Sequence, residues 1–140
     1  MARLTPKQLQ EARREKAEEK AHAEREAAEQ TRWLVWAHER HGQLTSVVSA
    51  VYDEVDKLSR KWPTGTASQL MVDKTNKAIQ AVKELMQEEE DDFVDDIVEI
   101  VPAGDLPEMR DMTLVLGQLK AALQRFGRVY LEQWRRLSLY

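Results

Sequence analysis

The sequence predicts an all-α protein: an antiparallel helical bundle of three or four helices with coiled-coil-like packing and a long, highly charged N-terminal helical arm. Apolar residues recur in alternating steps of three and four along two long stretches, which is the period of helices that bury one face. Charged residues make up 33% of the chain, with only 5 Gly and 4 Pro. Such a composition is typical of exposed helices and leaves little for a loop-rich or all-β fold.

The stretch from Met109 to Leu137 has the clearest helical period. We call such a periodic apolar stripe a seam, because it is the face that a helix buries. Pro107 is suited to the first helical turn, and Asp105 precedes it as a possible N-cap. The seam of this last helix consists of Met109, Met112, Leu116, Leu119, Leu123, Phe126 and Tyr130.

The N-terminal stretch begins with a helix-start signal and then lacks a wide apolar stripe. Thr5 can cap the helix, Pro6 suits its first position, and Gln8 completes a capping box. From there to Gln30 nearly every residue is Ala, Glu, Lys, Arg or Gln, the strongest helix formers. We therefore divide the chain into a charged helical arm, residues 1–30, and a helical bundle domain, residues 31–140. A solvated extension and a partner-docking arm both remain open for residues 1–30.

A second seam crosses Gly42, which leaves two structures open. Arg40, His41 and Gly42 followed by Thr45 resemble a helix stop and restart. The seam nevertheless keeps its phase through this point, and a loop would not preserve it. We predict one helix from about Pro6 to Lys61, with a helical hairpin turning at Gly42 as the alternative. The residues of this seam are Leu34, Ala37, His41, Leu44, Val48, Val51, Val55 and Leu58.

The segment 62–65, Trp-Pro-Thr-Gly, predicts a firm break, because the residue before proline avoids the helical region and glycine favours a turn. Thr66 and Gln69 then form the pattern of a second capping box. We expect the helix that follows to run into the acidic residues 88–92. Because anions at a helix C-terminus oppose its dipole, this helix either continues through Phe93, Val94, Ile97 and Val98 or frays inside the acidic run.

The composition excludes several classes of protein. The chain has no cysteine, which removes disulfides, thiolate zinc sites and cysteine nucleophiles. No apolar run reaches the ~18 residues of a membrane span, and the first residues lack the apolar core of a signal peptide. We expect a soluble, cytoplasmic protein that uses no cofactor and has no membrane partner.

Charge is strongly segregated near the C-terminus. Residues 87–111 carry 11 acidic and 1 basic side chain, whereas residues 112–140 carry 5 basic and 1 acidic. We expect the acidic run to dock a basic partner. It consists of Glu88, Glu89, Glu90, Asp91, Asp92, Asp95 and Asp96. The basic candidates for partner binding are Arg125, Arg128, Arg135 and Arg136. Arginines near aromatic residues invite a nucleic-acid interpretation, which the net charge of −4 disfavours.

Four carboxylates of the acidic run have a spacing that could hold a divalent cation on one helix face: Glu88 with Asp91, and Asp92 with Asp95. Asp53, Glu54 and Asp56 on an earlier helix could face them. This arrangement resembles the all-α nucleotide pyrophosphatases of the MazG type, which hold magnesium with E-x-x-E and E-x-x-D pairs on adjacent helices. The resemblance implies magnesium-dependent nucleotide hydrolysis, with Glu88, Asp91, Asp92 and Asp95 as weak metal candidates. In this chain, however, the first of the two pairs would be Asp53 and Asp56 and not two glutamates.

The four tryptophans, Trp33, Trp36, Trp62 and Trp134, are expected in a core or an interface. Any that stays exposed would mark a partner surface.

The function favoured by these patterns is non-catalytic. We expect a helical assembly, scaffolding or adaptor protein that acts through helix–helix contacts, as a homodimer or with another protein, because so long a first helix exceeds a single bundle. The first alternative is a regulator of nucleic-acid transactions that binds DNA or RNA weakly through the basic C-terminal helix. The second is the magnesium-dependent nucleotide pyrophosphatase.

Overall fold

A computed structural model of the protein describes residues 3–87, 97–100 and 106–140. Within these ranges it contains three helices and no strand: α1 (Pro6–Lys61), α2 (Gln69–Leu85) and α3 (Met109–Arg136). The all-α prediction is confirmed. No helix in the described ranges combines the length and the apolarity that crossing a membrane requires. The chain divides into two compact units, an N-terminal unit Met1–Trp36 and a C-terminal unit Ala37–Tyr140.

Helix α1 is continuous from Pro6 to Lys61, so the single-helix prediction is confirmed and the hairpin alternative is wrong. Its start is the predicted capping box: the Thr5 amide donates to Gln8 Oε1 at 2.9 Å, and the Gln8 amide donates to Thr5 Oγ1 at 3.2 Å. Gly42 lies in the helix interior and is exposed. The preserved phase of the seam therefore outweighed the weak helix propensity of one glycine.

The N-terminal unit is a helix without a buried face over most of its length. All residues from 3 to 32 are exposed except Ala12, which is half-buried. Two exposed ion pairs one turn apart support the helix: Arg14 with Glu18 at 3.2 Å, and His22 with Glu26 at 2.9 Å. Such pairs contribute only ~0.2–0.5 kcal/mol each.

All three helices contribute to the core of the C-terminal unit. Helices α1 and α3 are antiparallel, because contacts further along α1 are made with earlier residues of α3. His41 contacts Leu123, Tyr52 contacts Lys120, and Pro63, just after the end of α1, contacts Arg110. The fully buried large side chains of α2 are Val72, Ile79, Val82 and Leu85.

Helix α2 begins differently from the prediction. Ser68 is its N-cap and accepts a hydrogen bond from the Met71 amide at 3.2 Å. The capping box predicted for Thr66 is wrong, because Thr66 forms an antiparallel bridge with Glu108. The end is also different: α2 stops at Leu85, with Met86 as C-cap, and does not run into residues 88–92.

Helix α3 begins later than the sequence suggests. Glu108 is its N-cap and Met109 its first residue, so Pro107 precedes the helix and the prediction that placed it in the first turn is wrong. The Pro107 carbonyl instead accepts a hydrogen bond from the Ala67 amide at 2.8 Å. The hydrogen bonds between the α1–α2 connection and residues 107–110 therefore determine where α3 begins. Asp105, the predicted cap, lies outside the described residues.

Candidate interaction surfaces

Most residues of the predicted seams are buried within the protein itself. Eleven of the fifteen seam residues are buried: Leu34, Ala37, Leu44, Val48, Val55, Met109, Met112, Leu116, Leu119, Leu123 and Phe126. The other four, His41, Val51, Leu58 and Tyr130, are half-buried. The buried seam residues are therefore not available to a partner, and a binding surface has to be sought among exposed residues.

His41 and Gly127 form a close contact between α1 and α3. His41 Nε2 donates a hydrogen bond to the Leu123 carbonyl at 2.7 Å, and its ring stacks on Phe126 with the centroids 5.9 Å apart. In an α-helix the carbonyl of residue 123 also faces the amide of residue 127, so the imidazole lies beside Gly127. A Cβ at Gly127 would lie 3.0 Å from His41 Cε1 and 3.1 Å from Nε2.

His41 is a predicted seam residue, whereas Gly127 would be noticed in the sequence only for the low helix propensity of glycine. The overlooked signal is a glycine within an otherwise strongly periodic helix, where close packing is a common reason. The imidazole here completes a helix–helix contact.

An aromatic cluster surrounds Trp134, which is fully buried. The rings of His38 and Tyr140 meet edge to face with centroids 5.0 Å apart, and His38 also meets Trp134 at 5.1 Å. These contacts anchor the last residues of the chain on the C-terminal unit. In the described residues no group of three or more His, Asp or Glu side chains is placed to share a metal ion.

The four arginines singled out in the sequence, Arg125, Arg128, Arg135 and Arg136, are all exposed on α3. The acidic run that was expected to bind a basic partner, including the metal candidates Glu88, Asp91, Asp92 and Asp95, lies outside the described residues. Of the three α1 carboxylates expected to face the run, Asp53 and Glu54 are exposed and Asp56 pairs with Arg60 at 3.0 Å.

A shallow depression lies between α2 and the segment 97–100. The Asn76 side-chain amide makes two hydrogen bonds with the Ile100 backbone: its Nδ2 donates to the carbonyl at 2.6 Å, and its Oδ1 accepts from the amide at 2.8 Å. The Gln80 side chain donates to Glu99. These bonds hold the segment against α2, with Ile97 buried beneath it. The lining residues are Arg40, Asp73, Asn76, Lys77, Gln80, Ala81, Glu84 and Glu99.

The tryptophans divide between core and surface. Trp134 belongs to the core, whereas Trp36 is 40% exposed and Trp62 is 60% exposed. Exposed aromatic rings are typical of surfaces that bind other proteins. Leu70 and Leu114 of the same unit are also exposed. Comparison of the chain with protein-family models, curated proteins and solved structures finds no match.

Proposed function

We propose that this protein is a non-catalytic assembly, scaffolding or adaptor protein that acts through helix–helix contacts. The observation that carries the proposal is the exposed N-terminal part of α1. Its residues 6–32 are helical, and none of them is buried. Most helical stability in proteins comes from packing against other elements, so a helix of this length gains stability when a partner covers it.

The two units would divide this task. The C-terminal unit, an antiparallel helical bundle with coiled-coil-like packing, would serve as the folded anchor. The charged arm, residues 1–30, would carry the partner-binding surface, since the seams of the anchor are already buried. The acidic run would add a docking segment for a basic partner, which its charge favours.

The proposal is tested by photocrosslinking in cells that naturally express the protein. A photoreactive amino acid replaces Ala17 in the arm, and the matched control replaces Lys57, an exposed residue of the C-terminal unit. We expect a covalent adduct with a protein, either a second copy or another chain, that is specific to the Ala17 position. Adducts that are absent, or equal at both positions, would refute the assembly function.

Binding of DNA or RNA is a second candidate, favoured by the exposure of Arg128, Arg135 and Arg136 on the last turns of α3. Binding through phosphate contacts weakens steeply with salt. A mobility shift at low salt that disappears when these three arginines are changed to alanine would support it. An unchanged shift in the variant would exclude α3 as the binding element.

A further inference from the structure

The described part of the arm, residues 3–30, carries opposite charge in its two halves. Residues 3–16 contain five basic and two acidic side chains, a net charge of +3. Residues 17–30 contain two basic and five acidic side chains, a net charge of −3. The two halves have the same number of residues, so the charge reverses at the middle of the arm.

This distribution decides how two such helices can associate. In a parallel, in-register pair each half would face a half of its own sign, and like charges destabilise a contact. In an antiparallel pair the positive half of each helix faces the negative half of the other, so both contacts join opposite charges. Both orientations are compatible with the two-fold symmetry of most homodimers, so the charge distribution is what favours the antiparallel pair.

The surface that would be covered is exposed and narrow. Leu9, Ala12, Ala23 and Ala27 lie on one face, because their separations of 3, 11 and 4 residues are close to whole helical turns. Leu9 is 42% exposed, and the alanines leave room for a second backbone to approach closely. Lys16 and Lys20 fall between them on the same side, where their long stems can cover apolar surface while the ammonium groups stay in water.

We propose that the arm's partner is the arm of a second copy of this chain, bound antiparallel with each net-positive half against the other copy's net-negative half. The inference rests on the proposed function, since it names the partner of the same helix. It requires no change in the C-terminal unit, whose core each copy builds from its own residues.

The first test measures the mass of the purified full-length chain by light scattering over a range of protein and salt concentrations. We expect a dimer that dissociates as salt is raised, because exposed charge pairs are screened. Changing Glu24, Glu26 and Glu29 to lysine should raise the Kd of the dimer at least about tenfold, since it removes the negative half. A salt-independent dimer, or an unchanged Kd in this variant, would overturn the inference.

The matched control makes the same change of charge outside the arm. Asp53, Glu54 and Asp73 are exposed carboxylates of the C-terminal unit, and their replacement by lysine should alter the Kd by less than about twofold. An equal effect of both variants would show that net charge, and not the arm, controls association, which would also overturn the inference.

Orientation is tested by disulfide formation, for which the chain offers a background without cysteine. Leu9→Cys and Ala23→Cys lie two heptads apart on the same face. In the antiparallel pair, residue 9 of one copy lies opposite residue 23 or 24 of the other, within ~2 Å along the axis. Two copies of the same variant place their cysteines ~20 Å apart, too far for a disulfide.

We therefore expect a disulfide in a mixture of the two variants and none with either variant alone. Disulfides with each variant alone would indicate a parallel pair and overturn the inference. A monomer at every concentration would overturn it as well. The proposed function would then be tested separately, by whether the photoreactive residue at Ala17 captures another protein.

Discussion

Two glycines of the C-terminal unit, Gly42 in α1 and Gly127 in α3, give opposite predictions for the same substitution. Replacing an interior helical glycine by alanine stabilises a helix by about 1 kcal/mol. At Gly42 an added Cβ would meet nothing within 4 Å, so the full gain is expected. For a unit of this size, that gain should raise the Tm by roughly 4 °C.

At Gly127 the same methyl group would press on the His41 ring at 3.0 Å. The imidazole then has to move away from the Leu123 carbonyl, which it contacts at 2.7 Å. Loss of that hydrogen bond removes about 1 kcal/mol, and overpacking removes about 1–3 kcal/mol. These losses exceed the gain in helix propensity, so Gly127→Ala should destabilise the protein by about 1–3 kcal/mol.

Thermal and urea unfolding followed by circular dichroism measure both variants. The decisive comparison repeats Gly127→Ala in a protein that already carries His41→Ala. With the ring removed, the added methyl group has no close neighbour, and Gly127→Ala should now stabilise by up to about 1 kcal/mol. If Gly127→Ala stabilises the original protein as much as Gly42→Ala does, the account of the α1–α3 contact is refuted.

Three further predictions concern burial. The Thr45 hydroxyl is buried without a hydrogen-bond partner in the described part of the chain; Thr45→Val should therefore raise the free energy of unfolding by about 1 kcal/mol, and a loss of stability in urea would contradict this. Leu123 is 1% exposed and Leu114 is 68% exposed. Leu123→Asp should prevent stable folding by burying a charge, whereas Leu114→Asp should change the free energy of unfolding by less than about 0.5 kcal/mol. Similar circular-dichroism melts for the two variants would be inconsistent with the burial of Leu123 in the core. Deleting residues 1–30 should leave the Tm of the C-terminal unit within about 2 °C of the full chain, since no described residue of the arm is buried; a large drop would show that the arm belongs to the core.

The helices and the buried seam positions are the parts of this protein that the sequence predicts well. Hydrophobic burial repeats with the helical period, and this long-range regularity identified α1 as continuous across Gly42. The ends of the helices were harder to predict, because they depend on contacts between segments that are distant in the sequence. Thr66 and Pro107 both match local start signals, yet the pairing of residues 65–67 with 107–109 moves the starts of α2 and α3.

The candidate binding surfaces were only partly predictable. The exposed arm follows from its lack of an apolar stripe, and the arginines of α3 are exposed as expected for charged side chains. The contact between His41 and Gly127 could not be predicted, because it depends on which turn of α3 meets α1. The acidic run has a clear charge signature, but its proposed partner rests on composition alone.

Hydrogen exchange tests whether α1 continues as an exposed helix that binds another helix. Amide exchange is measured for residues 9–30 of the purified full-length protein at increasing protein concentration. We expect exchange that is slower than in an unstructured chain and that slows further with concentration, because pairing adds protection to helical amides. Exchange at the rate of an unstructured chain at every concentration would show that this part of α1 neither forms a stable helix nor pairs with one.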